Sequence, residues 1–357
     1  MKMDVSTERE NRALQVTNKK LPLVVVTHKI HAEVAEILGA QCRLIANDSV
    51  ESWPREQLLE HAREADALMV FMPDSMDESF LVQCPKLKII AAALKGYDNF
   101  DVAACTRRGV WFTIVPDLLS LPTAELALGL VLGITRNLLS GDRLVRDRKF
   151  EGWRPVLYGN GLYGRSAGIV GMGKVGRTLA RLLAGFDLTI FYSDQTSLPL
   201  AEEQRLRASR LDLDSLLAVS DIVVLLLPFL AETLHLIDTA ALRRMKPGAC
   251  LVNVGRGSVV DEEAVADALA AGHLAGYAAD VFEMEDWARP DRPQTISPRL
   301  LADTRRTLFT PHLGSAVDQV RLQIELAAAR NILQALNGER PADAVNDPAN
   351  RIGKAIP

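Results

Sequence analysis

Short apolar runs alternate with amphipathic stretches along this chain, first over residues 21–117 and again over residues 118–312. In the first part Leu23 to Thr27, Ala67 to Phe71, Ile89 to Ala92 and Val110 to Thr113 have strand length and composition, and segments between them, such as Arg55 to Ala62, carry helical spacing. In the second part the strand-like runs lie before the glycines at 168–176 and at Leu188 to Tyr192, Ile222 to Leu227, Cys250 to Asn253, Gly276 to Asp280 and Leu308 to Thr310. Runs that are apolar on consecutive residues suit strands covered on both faces. The pattern predicts an α/β protein of two Rossmann-like, doubly wound parallel-sheet domains with a cleft between them. A helical pattern from Pro122 to Leu139 opens the second part, with proline in the first turn, where a helix tolerates it. Another, Val317 to Leu336, ends near Gly338 and Pro341 and starts just past the final strand, so it can return to the first domain. The expected division is a discontinuous first domain (21–117 plus 313–345) and a continuous second domain (118–312). A disordered extension (1–20) and a loose tail (346–357) flank them.

The second domain contains Gly171-Met172-Gly173-Lys174-Val175-Gly176, between a strand-like run and a helical one, with Asp194 about 18 residues further on. The first glycine permits the tight turn, the second lets backbone approach a pyrophosphate, and the third lets helix and strand pack. The carboxylate of Asp194 can accept both ribose hydroxyls of an adenosine. It repels a 2′-phosphate, and Ser193 to Leu200 holds no Arg or Lys to offset that repulsion, so the cofactor expected is NAD rather than NADP.

The chain has 357 residues, 48% of them apolar, enough for two cores. A net charge of −4 argues against a nucleic-acid surface but leaves room for a locally positive site holding a small anion. Cys42, Cys84, Cys105 and Cys250 have neither paired nor metal-ligand spacing and read as reduced and buried; no metal site is expected. No signal peptide or membrane-length apolar run is visible, which points to a cytoplasmic protein with no membrane partner.

Past the glycine turn, Arg256, Glu285 and His312 each follow a strand-like run. Ligands of open parallel sheets bind at the carboxyl ends of strands, so these three can meet in one crevice. A guanidinium can grip an oxyanion, an imidazole can accept a proton near neutral pH, and a carboxylate can orient the imidazole. Read singly, each is equally a turn cap, a solvated acid or a loop histidine.

At these residues the chain resembles the D-2-hydroxyacid dehydrogenase superfamily, and within it the phosphite (phosphonate) dehydrogenases. The resemblance runs from about Leu21 to Asn346. It is carried by Phe71-Met72-Pro73-Asp74, Leu94-Lys95-Gly96-Tyr97-Asp98-Asn99-Phe100-Asp101, Val115-Pro116-Asp117-Leu118-Leu119, Pro122-Thr123-Ala124-Glu125, Gly152-Trp153, Tyr158-Gly159 and the stretch from Tyr277 to Arg289. It implies that Arg256, Glu285 and His312 are catalytic. It places Met72, Lys95, Gly96, Trp153, Tyr158 and Ser315 around the substrate with Arg256. Around the cofactor, with Gly171, Gly173, Gly176 and His312, it places Thr123, Lys174, Val175, Asp194, Leu227, Pro228, Val254 and Asp280. It also implies a homodimer through the Pro122 to Leu139 region and the segment after it.

Two departures from the general superfamily pattern bear on the substrate. Lys95 precedes Gly96, where a neutral residue is usual, and Asp286-Trp287 follows Glu285, where proline is common. Two cations suit a compact oxyanion, so the expected reaction is NAD-dependent oxidation of phosphite to phosphate: hydride leaves P–H, and a water deprotonated by His312 supplies the oxygen. Alternatives remain. Lys95 is equally a surface lysine on its own residues, Met72, Trp153 and Tyr158 are equally packing residues, and Arg256 is a second candidate base. The same triad serves a D-2-hydroxyacid dehydrogenase or glyoxylate/hydroxypyruvate reductase, and the fold serves NAD-sensing regulators.

Overall fold

The computed structural model describes residues 21–348; the extension expected over 1–20 and residues 349–357 of the expected tail lie outside the described residues. Two compact units divide the chain. Among the described residues, one holds 21–94, Asp101–Val115 and 324–348; the other holds Lys95–Phe100 and Pro116–Gln323.

The first unit is a five-stranded sheet of β1 (Leu23–Val26), β2 (Arg43–Ala46), β3 (Ala67–Val70), β4 (Ile89–Ala92) and β5 (Trp111–Thr113), all parallel, in the order β2-β1-β3-β4-β5. The three inner strands are buried at every residue, which is why they read as unbroken apolar runs. Each fully buried Val, Leu or Ile contributes about 1.5–3 kcal/mol. β2 was not foreseen: it is an edge strand whose sequence, Arg-Leu-Ile-Ala, is exposed at one end and only half-buried elsewhere. Short helices return the chain between strands, and Asp77 and Asp101 cap two of them by accepting from Phe80 N and Ala104 N. Buried Glu325, on the last helix, accepts from His31 N at 3.0 Å. Asn346, expected to open a loose tail, is instead anchored: its side chain accepts from Phe112 N and donates to Thr106 Oγ1 and Val110 O.

The second unit is a seven-stranded parallel sheet of β6 (Ser166–Val170), β7 (Thr189–Ser193), β8 (Ala208–Arg210), β9 (Ile222–Leu225), β10 (Ala249–Asn253), β11 (Leu274–Ala279) and β12 (Thr307–Phe309). The order is β12-β11-β10-β9-β6-β7-β8. From β6 the chain steps outward to β8, then returns to β9 and proceeds the other way. The reversal opens a crevice at the carboxyl ends of β6 and β9, where ligands of such sheets sit.

The helix read as one piece from Pro122 to Leu139 is two, Ser120–Thr135 and Leu138–Arg146. Asn137 breaks it with φ 54°, a left-handed conformation that asparagine tolerates, and its Nδ2 lies 3.3 Å from Leu157 O. Ala124, Ala127, Leu130, Val131 and Ile134 of the first piece pack in one core with Ile169, Leu179 and Val252. All four cysteines are free and buried, and no helix among the described residues is long and apolar enough to cross a membrane.

Candidate functional site

β6 runs into a turn at 171–173 and then the helix Lys174–Leu183. Gly171 holds φ +100°, which a side chain would strain, and a Cβ on Gly176 would lie 2.3 Å from the Gly171 carbonyl oxygen. Gly173, the N-cap, has no heavy atom within 4 Å of where a Cβ would stand. Open backbone therefore faces the helix N-terminus, where unpaired N–H groups and the positive dipole end meet an anion. This cradle fits the pyrophosphate of a dinucleotide.

The other residues expected around the cofactor collect near that turn. Leu227 abuts it, since a Cβ on Gly171 would lie 3.1 Å from Leu227 Cδ2. Pro228 follows, its carbonyl accepting from Thr233 Oγ1, and Val254 N donates to Leu225 O. Val175 is half-buried in the first helical turn. Asp194, directly after β7, accepts from Met172 N at 2.7 Å and Thr196 N at 3.0 Å, which pins its carboxylate beside the glycine turn. Lys174 is bonded to Asp117 rather than standing open.

Arg256 sits on the turn after β10, shaped by Asn253, whose side chain accepts from Gly255 N and donates to Arg256 O. Its Nε and Nη2 donate to Asp98 Oδ1 at 3.2 and 3.1 Å, and Nη1 donates to Gly255 O. One hydrogen on each Nη remains without an acceptor among the described residues. Asp98 was not singled out from sequence; the signal was an acid in the same loop as Lys95 and Gly96. A Cβ on Gly96 would lie 1.6 Å from Arg256 Nη2, so only glycine lets this loop lie against the guanidinium. Lys95 is half-buried, and no carboxylate among the described residues pairs with it. Burial pushes its ammonium below the usual lysine range, with Asp117 opposing and Lys174 adding to the shift. Lys95 is thus tied to Arg256 through the Gly96 backbone.

His312 Nδ1 meets Glu285 Oε2 at 2.7 Å, and Glu285 Oε1 accepts from Phe282 N at 2.8 Å. The carboxylate is held by backbone, and in turn it holds the imidazole. Nε2 has no partner among the described residues. His312 takes φ 56°, a position secured by Asp280, whose buried carboxylate accepts from Thr310 Oγ1, Leu313 N and Gly314 N at 2.6–2.8 Å. Burial raises the Asp280 carboxyl against those bonds. The same bonds tie residues 313–314 to the second unit, where the sequence expectation put the boundary at 312. Thr123 Oγ1 is 3.2 Å from Gly314 O, and half-buried Ser315 follows.

The Asp286 carboxylate is buried and accepts from Ser258 N at 2.7 Å, bracing the turn that carries Arg256. Burial raises its carboxyl, and Ser258 and Arg256 oppose the rise. Beside it Arg289 donates to Glu283 at 2.5 Å and to Ser258 Oγ at 3.0 Å. The long Tyr277 to Arg289 block is therefore largely a buttress, and Glu285 is its projecting member.

Three expected substrate residues do not join this cluster within the second unit. Met72 belongs to the first unit, half-buried on the loop after β3, which Asp74 secures by accepting from Phe71 N. Trp153 is 81% exposed. Tyr158 lines a pocket of about 460 Å³ with Asn137, Cys250 and Arg305, at the amino ends of β10, β11 and β12 and so at the far end of the sheet from Arg256 and His312.

Residues 128–314 match the family model described as D-isomer specific 2-hydroxyacid dehydrogenase, NAD binding domain. The chain is 37% identical over 330 residues to a glyoxylate reductase of Thermococcus onnurineus, covering 91% of this chain and 96% of that one. It is 38% identical over 298 residues to a glyoxylate reductase of Thermococcus litoralis, 82% and 87% of the two chains. A solved protein of Thermus thermophilus superposes with TM-score 0.83 at 31% identity, covering 91% of this chain and all of that one. With this match lying over an open glycine cradle and an Arg–Glu–His set, the chain belongs to the D-isomer specific 2-hydroxyacid dehydrogenase family and carries its NAD-binding domain.

Proposed function

We propose that the chain oxidises phosphite to phosphate with NAD. The observation that carries this is Lys95: a half-buried ammonium with no carboxylate partner among the described residues, next to a glycine whose backbone lies on the Arg256 guanidinium. A desolvated cation without a counter-ion suits a small dianion better than a monoanion with an apolar tail. NAD bound in the glycine cradle supplies the hydride acceptor. Arg256, aimed by Asp98, offers its two free N–H groups to the oxyanion, while Glu285 holds the imidazole so that Nε2 takes the proton from the attacking water. The P–H bond breaks with its electron pair, the new P–O bond forms from water, and one proton passes to His312.

The relatives favour the second reading. Two at 37–38% identity are named glyoxylate reductase, and the same set would then reduce glyoxylate or hydroxypyruvate, or oxidise D-lactate or D-glycerate, with Arg256 on the carboxylate and His312 exchanging a proton with the hydroxyl. Both readings take a small anion. Exposed Leu138, Val145, Phe150, Trp153, Val156 and Tyr163 support a homodimer through this segment. One assay series separates the readings: NADH formed from phosphite, D-lactate or D-glycerate, and NADH consumed with glyoxylate or hydroxypyruvate. Turnover of phosphite above the carbon acids is expected. Turnover of glyoxylate with none of phosphite would sink the first reading in favour of the second, and turnover of nothing would favour an NAD-sensing role.

A further inference from the structure

The acid that reads the adenosine ribose does not stand alone. Arg210, on the edge strand β8, donates from Nη2 to Asp194 O at 2.8 Å and to Gln195 O at 3.2 Å. Those carbonyls belong to the loop that carries the Asp194 carboxylate, so the guanidinium stands beside the position where a ribose 2′ substituent enters. The arginine is exposed, and its Nε and Nη1 hydrogens have no acceptor among the described residues. Exposed Gln195, Thr196 and Ser197 add polar groups on the same loop. The local segment 193–200 holds no cation, but the fold brings one from 16 residues away.

We propose that Arg210 makes the adenosine end of the nucleotide site a latent 2′-phosphate site, so that discrimination against NADP rests on the Asp194 carboxylate. This rests on the dinucleotide being held at the glycine turn. Both bidentate faces of a guanidinium include Nη2, which the loop carbonyls occupy, so the 2′-phosphate gains its charge-assisted bonds singly, from Nη1 or from Nε, and the loop bonds stay in place. With Asp194 ionised, the 2′-phosphate meets one attraction and one repulsion at close range. With Asp194 neutralised, only the attraction remains.

The test is the dissociation constants of NAD and NADP, measured by calorimetry on the full chain and three variants. Asp194→Asn is expected to tighten NADP at least about 10-fold while weakening NAD. Arg210→Gln is expected to weaken NADP about 5- to 10-fold in either background and to change NAD less than about 2-fold, and added salt should weaken NADP more than NAD. Equal weakening of both nucleotides by Arg210→Gln would mean the arginine only staples the loop, and would overturn the proposal. So would a double variant that binds NADP as tightly as Asp194→Asn alone. Failure of the unaltered chain to bind NAD would be a different result, because it removes the dinucleotide reading itself.

Discussion

The two ends of the seven-stranded sheet use the same chemistry to opposite effect. At the amino end, Asp221 accepts from Ser166 N and Oγ and from Lys246 Nζ at 2.5 Å. There too Arg306 donates to Asp303 and to the Leu269 carbonyl. At the carboxyl end, Asp98 holds Arg256 and Glu285 holds His312, but each acid grips only one side of its partner. Free N–H groups on the guanidinium and Nε2 of the imidazole are left over. Ion pairs by themselves do not mark function here; a base oriented by an acid and still half unspent does.

Removing the unspent face should have the largest effect. His312→Asn is expected to lower kcat by about 10²- to 10⁴-fold, because no general base remains. A melting temperature close to that of the unaltered chain, read in the same preparation, separates lost chemistry from lost fold. Retained turnover across pH would move the proton-accepting role elsewhere and break the comparison.

Lys95→Ala comes next, with KM for the anion raised about 10- to 100-fold and kcat changed less. Its pH dependence has a definite sign. Burial holds the ammonium below the ordinary value of 10.5, so anion affinity is present below that lowered pKa and is lost as pH rises through it, earlier than for a solvated lysine. Folding stability runs the other way, since the buried charge is unfavourable: stability should rise between the lowered folded pKa and 10.5. A KM and a melting temperature that both rise with pH over this range, each flattened by Lys95→Ala, would identify the residue. An alkaline limb unchanged in the variant would show that Lys95 does not bind substrate.

Asp286→Ala probes the boundary between the two kinds of pair. It strips the acceptor from buried Ser258 N, a cost of about 1–3 kcal/mol in stability by denaturant titration. It also frees the turn that aims Arg256, so kcat/KM should fall along with stability. A stability loss with intact kcat/KM would reassign Asp286 to structure alone.

Buried periodicity and the glycine turn made the fold class legible, because inner parallel strands must be apolar on consecutive residues. β2 and β8 were illegible for the converse reason: edge strands bury half a surface and carry Arg43 and Arg210. Missing β8 also hid Arg210 from the nucleotide loop. Within the site, Arg256, Glu285 and His312 were readable because each follows a strand end. Asp98 was not, since its partner is 158 residues away and no local pattern announces it. The break at Asn137 escaped because helical spacing of apolar residues continues across it, and only the backbone shows the left-handed residue.

The smallest expected effect is the most exacting check on the contrast. Burial works to raise the Asp221 carboxyl, but the bonds from Lys246 and Ser166 outweigh it and hold the group below its ordinary value of 3.8. A depressed folded pKa means stability that is present above 3.8 and lost as pH falls through the lower folded value. Asp221→Asn keeps an acceptor for Ser166 but removes the charge facing Lys246, so it should cost on the order of 1 kcal/mol at neutral pH and lower the melting temperature by about 2–4 °C. Part of the acid-side slope should go with it. Because Asp221 and its partners stand at the end of the sheet opposite Arg256 and His312, kcat and KM should stay within about 2-fold of the unaltered chain. A clear loss of turnover from a carboxylate at the amino end would mean that the sheet transmits strain along its strands, and that closed pairs there help to aim the open ones opposite.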